Sequence, residues 1–347
     1  MTSTRSLAAN STGSNFVAQD MELRPLGPNS VKLDIHYSGI CHSDIHQVRD
    51  EWSSGIFPMV PGHEMAGVVT EIGSDVTKFK VGDRIGVGVF VESCRECEYC
   101  LADMENHCIK GPVGSYNARH YDGTPSYGGY ANSIVIEEHF GLHISNDVDL
   151  AEAAPLLCAG VTVYTPLTNW NAGPGKKVAI LGMGGLGHLA VKIAAALGAE
   201  VTVLGHSDSK KEDALAFGAS EYLNTAASIG TVRNKFDMIL NTTSADLDVD
   251  GLLSMLRIGG ALVNVGLPGT RQSYNPFSVV GGRKSIAGSN TGGIKGTQEM
   301  LDFCAKHNIG ANIELLDGSN PAAIDAAYDR VVASDIRYRF VIEAQKI

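Results

Sequence analysis

The chain has 347 residues, 44% hydrophobic and 19% charged, a length that exceeds one core and a composition ordinary for a globular protein of two domains. Its net charge of −11 excludes nucleic acid and anionic membrane surfaces as partners, because either would demand a basic face. No apolar run in the sequence approaches the length needed to span a bilayer.

The N-terminal stretch "MTSTRSLAANSTGSNF" is polar and lacks the apolar core of a secretory signal, so a reducing, cytoplasmic setting is expected. Up to about residue 150 the segments are short, β-rich and punctuated by glycine. "SVKLDIHYSG", "MAGVVTEIG" and "GDRIGVGVF" alternate apolar and polar positions, which predicts a partly open barrel or sandwich. Beside these strands stand "GICHSDIH" and "PGHE", which carry Cys41, His42, Ser43, Asp44, His46, His63 and Glu64. Together with Cys158 of "LLCAGVTVY", Cys41 and His63 could give zinc three protein ligands and leave a fourth position for substrate. Taken singly, Cys158 also reads as core filler and His63 as a satisfied loop histidine.

"ESCRECEYCLADMENHC" then gathers Cys94, Cys97, Cys100 and Cys108, four of the seven cysteines, into one polar stretch. A reducing compartment disfavours disulfides there. The spacing lets four thiolates converge on one tetrahedral zinc, and a site closed by four sulfurs has no vacancy for substrate. This cluster is expected to be structural.

Around residue 155 the rhythm changes. "KKVAILGMGGLGHLAVKIAAALGAEVTVLGHS" reads as strand, glycine turn, amphipathic helix and strand, and "FDMILNTT", "GALVNVGL" and "KSIAGSN" read as further buried strands. Strands alternating with helices imply a parallel sheet covered on both faces. "GMGGLG" places Gly182, Gly184, Gly185, Leu186 and Gly187 between strand and helix, where glycines let a pyrophosphate approach the helix N-terminus. An acid that binds the ribose hydroxyls of NAD belongs at the end of the next strand, but Gly205 stands there. His206, Ser207, Lys210 and Lys211 follow and could hold a 2′-phosphate, which favours NADP, whereas Asp208 runs against it and the lysine pair also reads as a solvated helix cap. Placing an acid at position 205 is therefore expected to reverse the preference. The tail from about Thr291 carries a helical stretch near Thr297 and ends in "RYRFVIE", a predicted strand.

The chain resembles the zinc-containing medium-chain alcohol dehydrogenases, in their cinnamyl alcohol dehydrogenase-like branch. The resemblance is carried by "GICHSDIH", "PGHEMAGVV", "VGDRIGVG", "CRECEYCLADMENHC", "LLCAGVTVY", "GMGGLGHLAVKIAAALGAEVTVL" and "SKKEDALAFGA", in the family's order over most of the length. It implies an α/β fold: a GroES-like β-barrel catalytic domain over 1–154 with 288–347 returning to it, and a Rossmann doubly wound parallel sheet over 155–287. It implies two zinc ions and NADP(H). Cys41, His63 and Cys158 would be the catalytic ligands, with Glu64 able to approach the metal, and Cys94, Cys97, Cys100 and Cys108 would hold the structural ion. Thr162 would lie beside the nicotinamide, and Thr242, Gly266 and Ser289 near strand ends facing the same crevice.

In that family zinc acts as a Lewis acid on the substrate oxygen, and hydride moves between substrate carbon and nicotinamide. Ser43 would pass the hydroxyl proton through the cofactor ribose to His46, which otherwise reads as a surface histidine. Reduction of aromatic or medium aliphatic aldehydes, reversible toward the primary alcohol, is the expected activity, in a homodimer. Trp52 reads either as a wall of an apolar substrate pocket or as a packing residue. An NAD-dependent zinc polyol or alcohol dehydrogenase is the nearest alternative within catalysis, and Gly205 argues against it. A zinc-bound structural or sensor protein is the non-enzymatic alternative, opposed by the presence of Cys41, His63, Cys158, Ser43 and His46.

Overall fold

The computed structural model describes residues 3–52 and 54–347. The chain divides into two compact units, Met1–Cys158 with Gly292–Ile347, and Ala159–Thr291.

The first unit is built on a seven-stranded mixed sheet whose path runs Ile313–Asp317, Arg339–Glu343, Ser30–Ile40, Met65–Ile72, Arg84–Val87 and Gly141–His143, with Ser133–Glu137 also paired to Ser30–Ile40. Along Ser30–Ile40 the alternation read from the sequence is realised, with Val31, Leu33 and Ile35 fully buried. These three pack with Met65, Val69, Phe79, Ile85 and Val87 in one core. The alternation stops at the C-terminal end, where Ser38, Gly39 and Ile40 are all buried. A strand covered on both faces loses the period of two, and this covered end is where the site begins. The tail closes the unit: Arg339–Glu343 pairs antiparallel with Tyr37–Ile40. The tail helix spans Ile294–Lys306, starting slightly before the position its periodicity suggested. Between that helix and the final strand lie strand Ile313–Asp317 and helix Pro321–Val332, which the sequence pattern does not predict.

The second unit is a six-stranded parallel sheet in the order Glu221–Asn224, Glu200–Gly205, Lys177–Leu181, Phe236–Asn241, Leu256–Asn264, Ser285–Gly288. The central strands are almost continuously buried, as a sheet covered on both faces requires. The chain enters at Lys177–Leu181, adds strands on one side and then on the other. That reversal leaves a crevice beyond the carboxyl ends of the strands. No single helix among the described residues is long and apolar enough to cross a membrane.

One buried acid joins the four-cysteine loop to the tail. The Glu105 carboxylate lies 2.9 Å from His139 Nε2 and accepts from the Ile294 N–H at 3.0 Å. Burial alone would raise its pKa, but the imidazole and the backbone donor outweigh it and hold the group below the ordinary 4.5. A carboxylate with a depressed folded-state pKa contributes stability above its unfolded value and loses it as pH falls through the folded one. Glu105→Gln is therefore expected to unfold at lower temperature than wild type at neutral pH, with the gap in melting temperature narrowing as the pH drops below about 4.5. A gap that stays constant across thermal melts from pH 7 to below 4 would contradict this.

Candidate active site

The strand pairing builds the first cluster. Ser38 lies opposite Met65, so the chain leaving Ser30–Ile40 and the chain entering Met65–Ile72 meet at one end of the ladder. Cys41 follows the first strand directly, and His63 and Glu64 precede the second. Gly39 N–H donates to the Glu64 carbonyl at 3.0 Å, continuing the ladder into the site. Cys158 arrives from the short helices Leu150–Ala153 and Ala154–Leu157. All four residues are buried, and their ligand atoms lie within 4.8 Å of one another.

Asp44 organises this cluster. Its fully buried carboxylate accepts from the Cys41 N–H at 2.8 Å and the Gly62 N–H at 3.1 Å, and lies 3.1 Å from His63 Nδ1. The first of these bonds is half of a capping box that starts helix His42–Val48. The third engages Nδ1 and leaves Nε2 as the ring's donor for a metal. Tyr116 stacks on His63 with centroids 5.8 Å apart.

The donors suit zinc chemically: two thiols, an imidazole and a carboxylate. Cys41 and Cys158 sulfurs are 4.0 Å apart. The hydrogen bond from Cys158 outweighs burial, and with the Arg339 charge it draws the Cys41 thiol well below its ordinary pKa, toward the thiolate a metal needs. Burial pushes Glu64 up to about 8 against the opposing charge of Arg339. Glu64 Oε1 is ion-paired with Arg339, while Glu64 Oε2 is buried and has no hydrogen-bond partner. A buried carboxylate oxygen without a partner is costly unless something else satisfies it, and a cation among these four residues would do so.

Ser43 and His46 occupy one face of helix His42–Val48. Ser43 Oγ lies 3.6 Å from Cys41 Sγ. His46 pairs through Nδ1 with Glu51 and is stacked between His42, 5.0 Å away, and Trp52, 4.6 Å away. Trp52 is 45% exposed, so it is not a core packing residue.

The second cluster is also drawn together, with the sulfurs of Cys94, Cys97, Cys100 and Cys108 within 4.8 Å of one another. The Cys97 N–H points to Cys94 Sγ and the Cys94 N–H to Cys108 Sγ, each at 3.4 Å. Backbone donors aimed at sulfur favour thiolates, and those of Ile109 and Cys100 bring Cys97 down to about 6.

In the second unit the expected cofactor residues other than Thr162 follow the carboxyl ends of the sheet's strands. Gly182 follows Lys177–Leu181 with φ +95°, a conformation that favours glycine, and its N–H donates to Leu204 O at 3.0 Å. Gly184 has open space where a β-carbon would stand, Gly185 and Leu186 complete the turn, and Gly187 opens helix Gly187–Ala196. Thr242 bonds back to Leu181 O through both N–H, 3.0 Å, and Oγ1, 2.8 Å. Gly266 N–H donates to Asn241 O at 3.0 Å and Ser289 N–H to Asn264 O at 3.1 Å, so each sits just past a strand's carboxyl end. Thr162 is half-buried on helix Ala159–Asn169. His206 and Lys211 are exposed after Gly205, with Ser207 and Lys210 half-buried between them.

Sequence reasoning assigned no role to Asp44 or Arg339. Asp44 stood in plain view inside "GICHSDIH", where an acid three residues past a candidate ligand is a capping signal. Arg339 lies 275 residues from its partner, and no local pattern links them.

Residues 27–146 match the alcohol dehydrogenase GroES-like domain, and residues 185–306 the zinc-binding dehydrogenase domain. The chain is 55% identical over 342 residues to a probable formaldehyde dehydrogenase of Bacillus subtilis, covering 98% of this chain and 97% of that one. It is 51% identical over 350 residues to an NADP-dependent alcohol dehydrogenase of Mycolicibacterium smegmatis, covering 100% and 99%. Among solved structures, a cinnamyl alcohol dehydrogenase of Sorghum bicolor superposes with TM-score 0.94 at 37% identity, covering 99% of this chain and 98% of that one.

Metal analysis of the purified protein is expected to find two zinc ions per chain, one for each cluster. Cys97→Ser should lose one ion and melt at markedly lower temperature, because metal binding there is coupled to folding. Cys41→Ser should lose the other ion, stay folded and retain NADPH binding with little turnover. Wild-type turnover in Cys41→Ser would refute the division of roles.

Proposed function

Because the chain belongs to the zinc-containing medium-chain alcohol dehydrogenases, in the branch of the cinnamyl alcohol dehydrogenases, we propose that Cys41, His63 and Cys158 hold its catalytic zinc, with Glu64 as an alternative donor. Its activity is zinc-dependent, NADP-dependent interconversion of an alcohol and an aldehyde. The observation that carries the residue assignment is the buried four-donor cluster with one carboxylate oxygen left unpartnered. Cys94, Cys97, Cys100 and Cys108 hold the structural zinc in this reading, and its four sulfurs leave no position for substrate.

When bound, zinc supplies a Lewis acid for the substrate oxygen and NADP(H) the hydride carrier. The chain's residues do the rest. Asp44 fixes the tautomer and aim of His63 by engaging Nδ1. Ser43 Oγ, beside Cys41, accepts the hydroxyl proton as the alcohol is oxidised while releasing its own proton toward His46, and the exchange runs backward on reduction. His46 carries that proton toward solvent, with Glu51 holding its Nδ1. The Gly182–Gly187 turn receives the pyrophosphate, with Thr242, Gly266 and Ser289 along the same sheet edge and Thr162 beside the nicotinamide. Ser207 and Lys211, helped by Lys210 and His206, take the 2′-phosphate. The exposed face of Trp52 favours aromatic or medium aliphatic aldehydes, reduced reversibly to primary alcohols.

Zinc held by thiolates needs reduced sulfur, which suits a cytoplasmic location. Strand Ser285–Gly288 ends the parallel sheet, with Ile286 exposed and Phe277 and Val280 on the preceding helix 81% and 71% exposed. An apolar sheet edge of this kind invites pairing with a second copy, so a homodimer is proposed. Light scattering should report twice the mass of 36.7 kDa, and Phe277→Glu with Ile286→Lys should shift it to monomer. A monomeric wild type would remove this part.

Steady-state rates with a panel of aldehydes should give a higher kcat/KM with NADPH than with NADH. His46→Gln should slow turnover by up to ~100-fold near neutral pH and much less at high pH, where hydroxide takes the proton directly. An equal loss at every pH would point to a structural role for His46.

A further inference from the structure

Gly205 has a neighbour that accounts for it. Strands Glu200–Gly205 and Glu221–Asn224 run parallel, with Val203 opposite Tyr222 and Gly205 opposite Asn224. Alternation puts position 205 on the same face as Val203, and the Tyr222 ring extends along that face. A β-carbon at position 205 would stand 1.8 Å from Tyr222 Oη and 2.5 Å from its Cζ. At those separations the tyrosine ring would have to move. The tyrosine cannot easily withdraw, because it is 9% exposed and its hydroxyl donates to the carbonyl of Ser207. The adjacent carbonyl of His206 accepts from Asn224 Nδ2 at 3.5 Å. Strand Glu221–Asn224 thus holds two successive carbonyls of the segment that follows Gly205.

We propose that Tyr222 is a specificity-determining residue for the cofactor. Its phenol fills the space that an acid at position 205 would need to reach the ribose hydroxyls of NAD. Its hydroxyl also fixes the Ser207 carbonyl, so that the turn presents the Ser207 side chain and Lys211 to a 2′-phosphate. Ser207 Oγ is itself oriented by Ser209 Oγ at 3.0 Å. Burial and the nearby Asp208 charge raise the phenol's pKa and keep it a donor. The inference rests on the NADP reading of this loop and adds to it a positioning residue from the next strand. It also runs against the expectation that an acid at position 205 reverses the preference by itself, because a β-carbon there meets the Tyr222 phenol.

The test reads binding, not turnover. Dissociation constants of the purified zinc-loaded protein for NADPH and NADH are measured by nicotinamide fluorescence titration, alongside melting temperatures. Tyr222→Phe keeps the ring and loses the bond to Ser207, and is expected to weaken NADPH about three- to tenfold while leaving NADH nearly unchanged. A merely structural role would weaken both alike. Gly205→Asp alone is expected to lower the melting temperature and weaken both cofactors without reversing their order. Gly205→Asp with Tyr222→Val should recover melting temperature relative to Gly205→Asp and move the ratio toward NADH by about tenfold or more. A wild type that binds NADH more tightly overturns the NADP reading and this inference together. If wild type prefers NADPH, an undiminished Gly205→Asp protein with a reversed ratio, or a Tyr222→Phe protein with unchanged NADPH binding, overturns only the assignment to Tyr222.

Discussion

A buried carboxylate ties together the segments that make the first cluster. Asp44 takes donors from Cys41, Gly62 and His63, which belong to two different stretches of chain. Burying a charge costs several kcal/mol, and hydrogen bonds to a charged group return about 1.5–3 kcal/mol each. Three such contacts return an amount comparable with that cost. Helix His42–Val48 begins where it does because Asp44 caps it, and that start sets Ser43 beside Cys41. The geometry of the proposed metal ligands and the start of the proposed proton path share one origin.

The two cysteine-bearing clusters differ in what surrounds them. The loop cluster is four sulfurs with backbone donors turned toward them, an arrangement complete in itself. The other mixes two sulfurs with an imidazole and a carboxylate, and Arg339 holds one oxygen of that carboxylate. A buried arginine against Glu64 neutralises part of the charge that two thiolates and a carboxylate would accumulate if these residues bind a metal. Four sulfurs would close a tetrahedral metal site, whereas two sulfurs and an imidazole would leave a fourth position open.

At the cofactor edge, sterics and hydrogen bonding act in sequence. Gly182 turns the chain with a positive φ, Thr242 ties the neighbouring strand end to it, and the following strand ends step along the crevice. Gly205 differs from the glycines of that turn. Its backbone takes an ordinary strand conformation, and it lacks a side chain because Tyr222 occupies the volume.

What the sequence determined by itself was local. The period-two strands, the strand–glycine turn–helix unit and the spacing of Cys94, Cys97, Cys100 and Cys108 can be read in one pass because each depends on residues close in the chain. Cys41, His63 and Cys158 were legible as candidates, but their convergence needed the antiparallel register that sets Ser38 opposite Met65. Tertiary structure alone decided the rest. The return of Arg339–Glu343 to the first sheet, the pairing of Arg339 with Glu64 and the ring of Tyr222 over Gly205 all join segments that share no local pattern. The physical reason is that periodicity reports which face of an element is buried. It carries no information about which distant side chain will claim the space or the charge on that face.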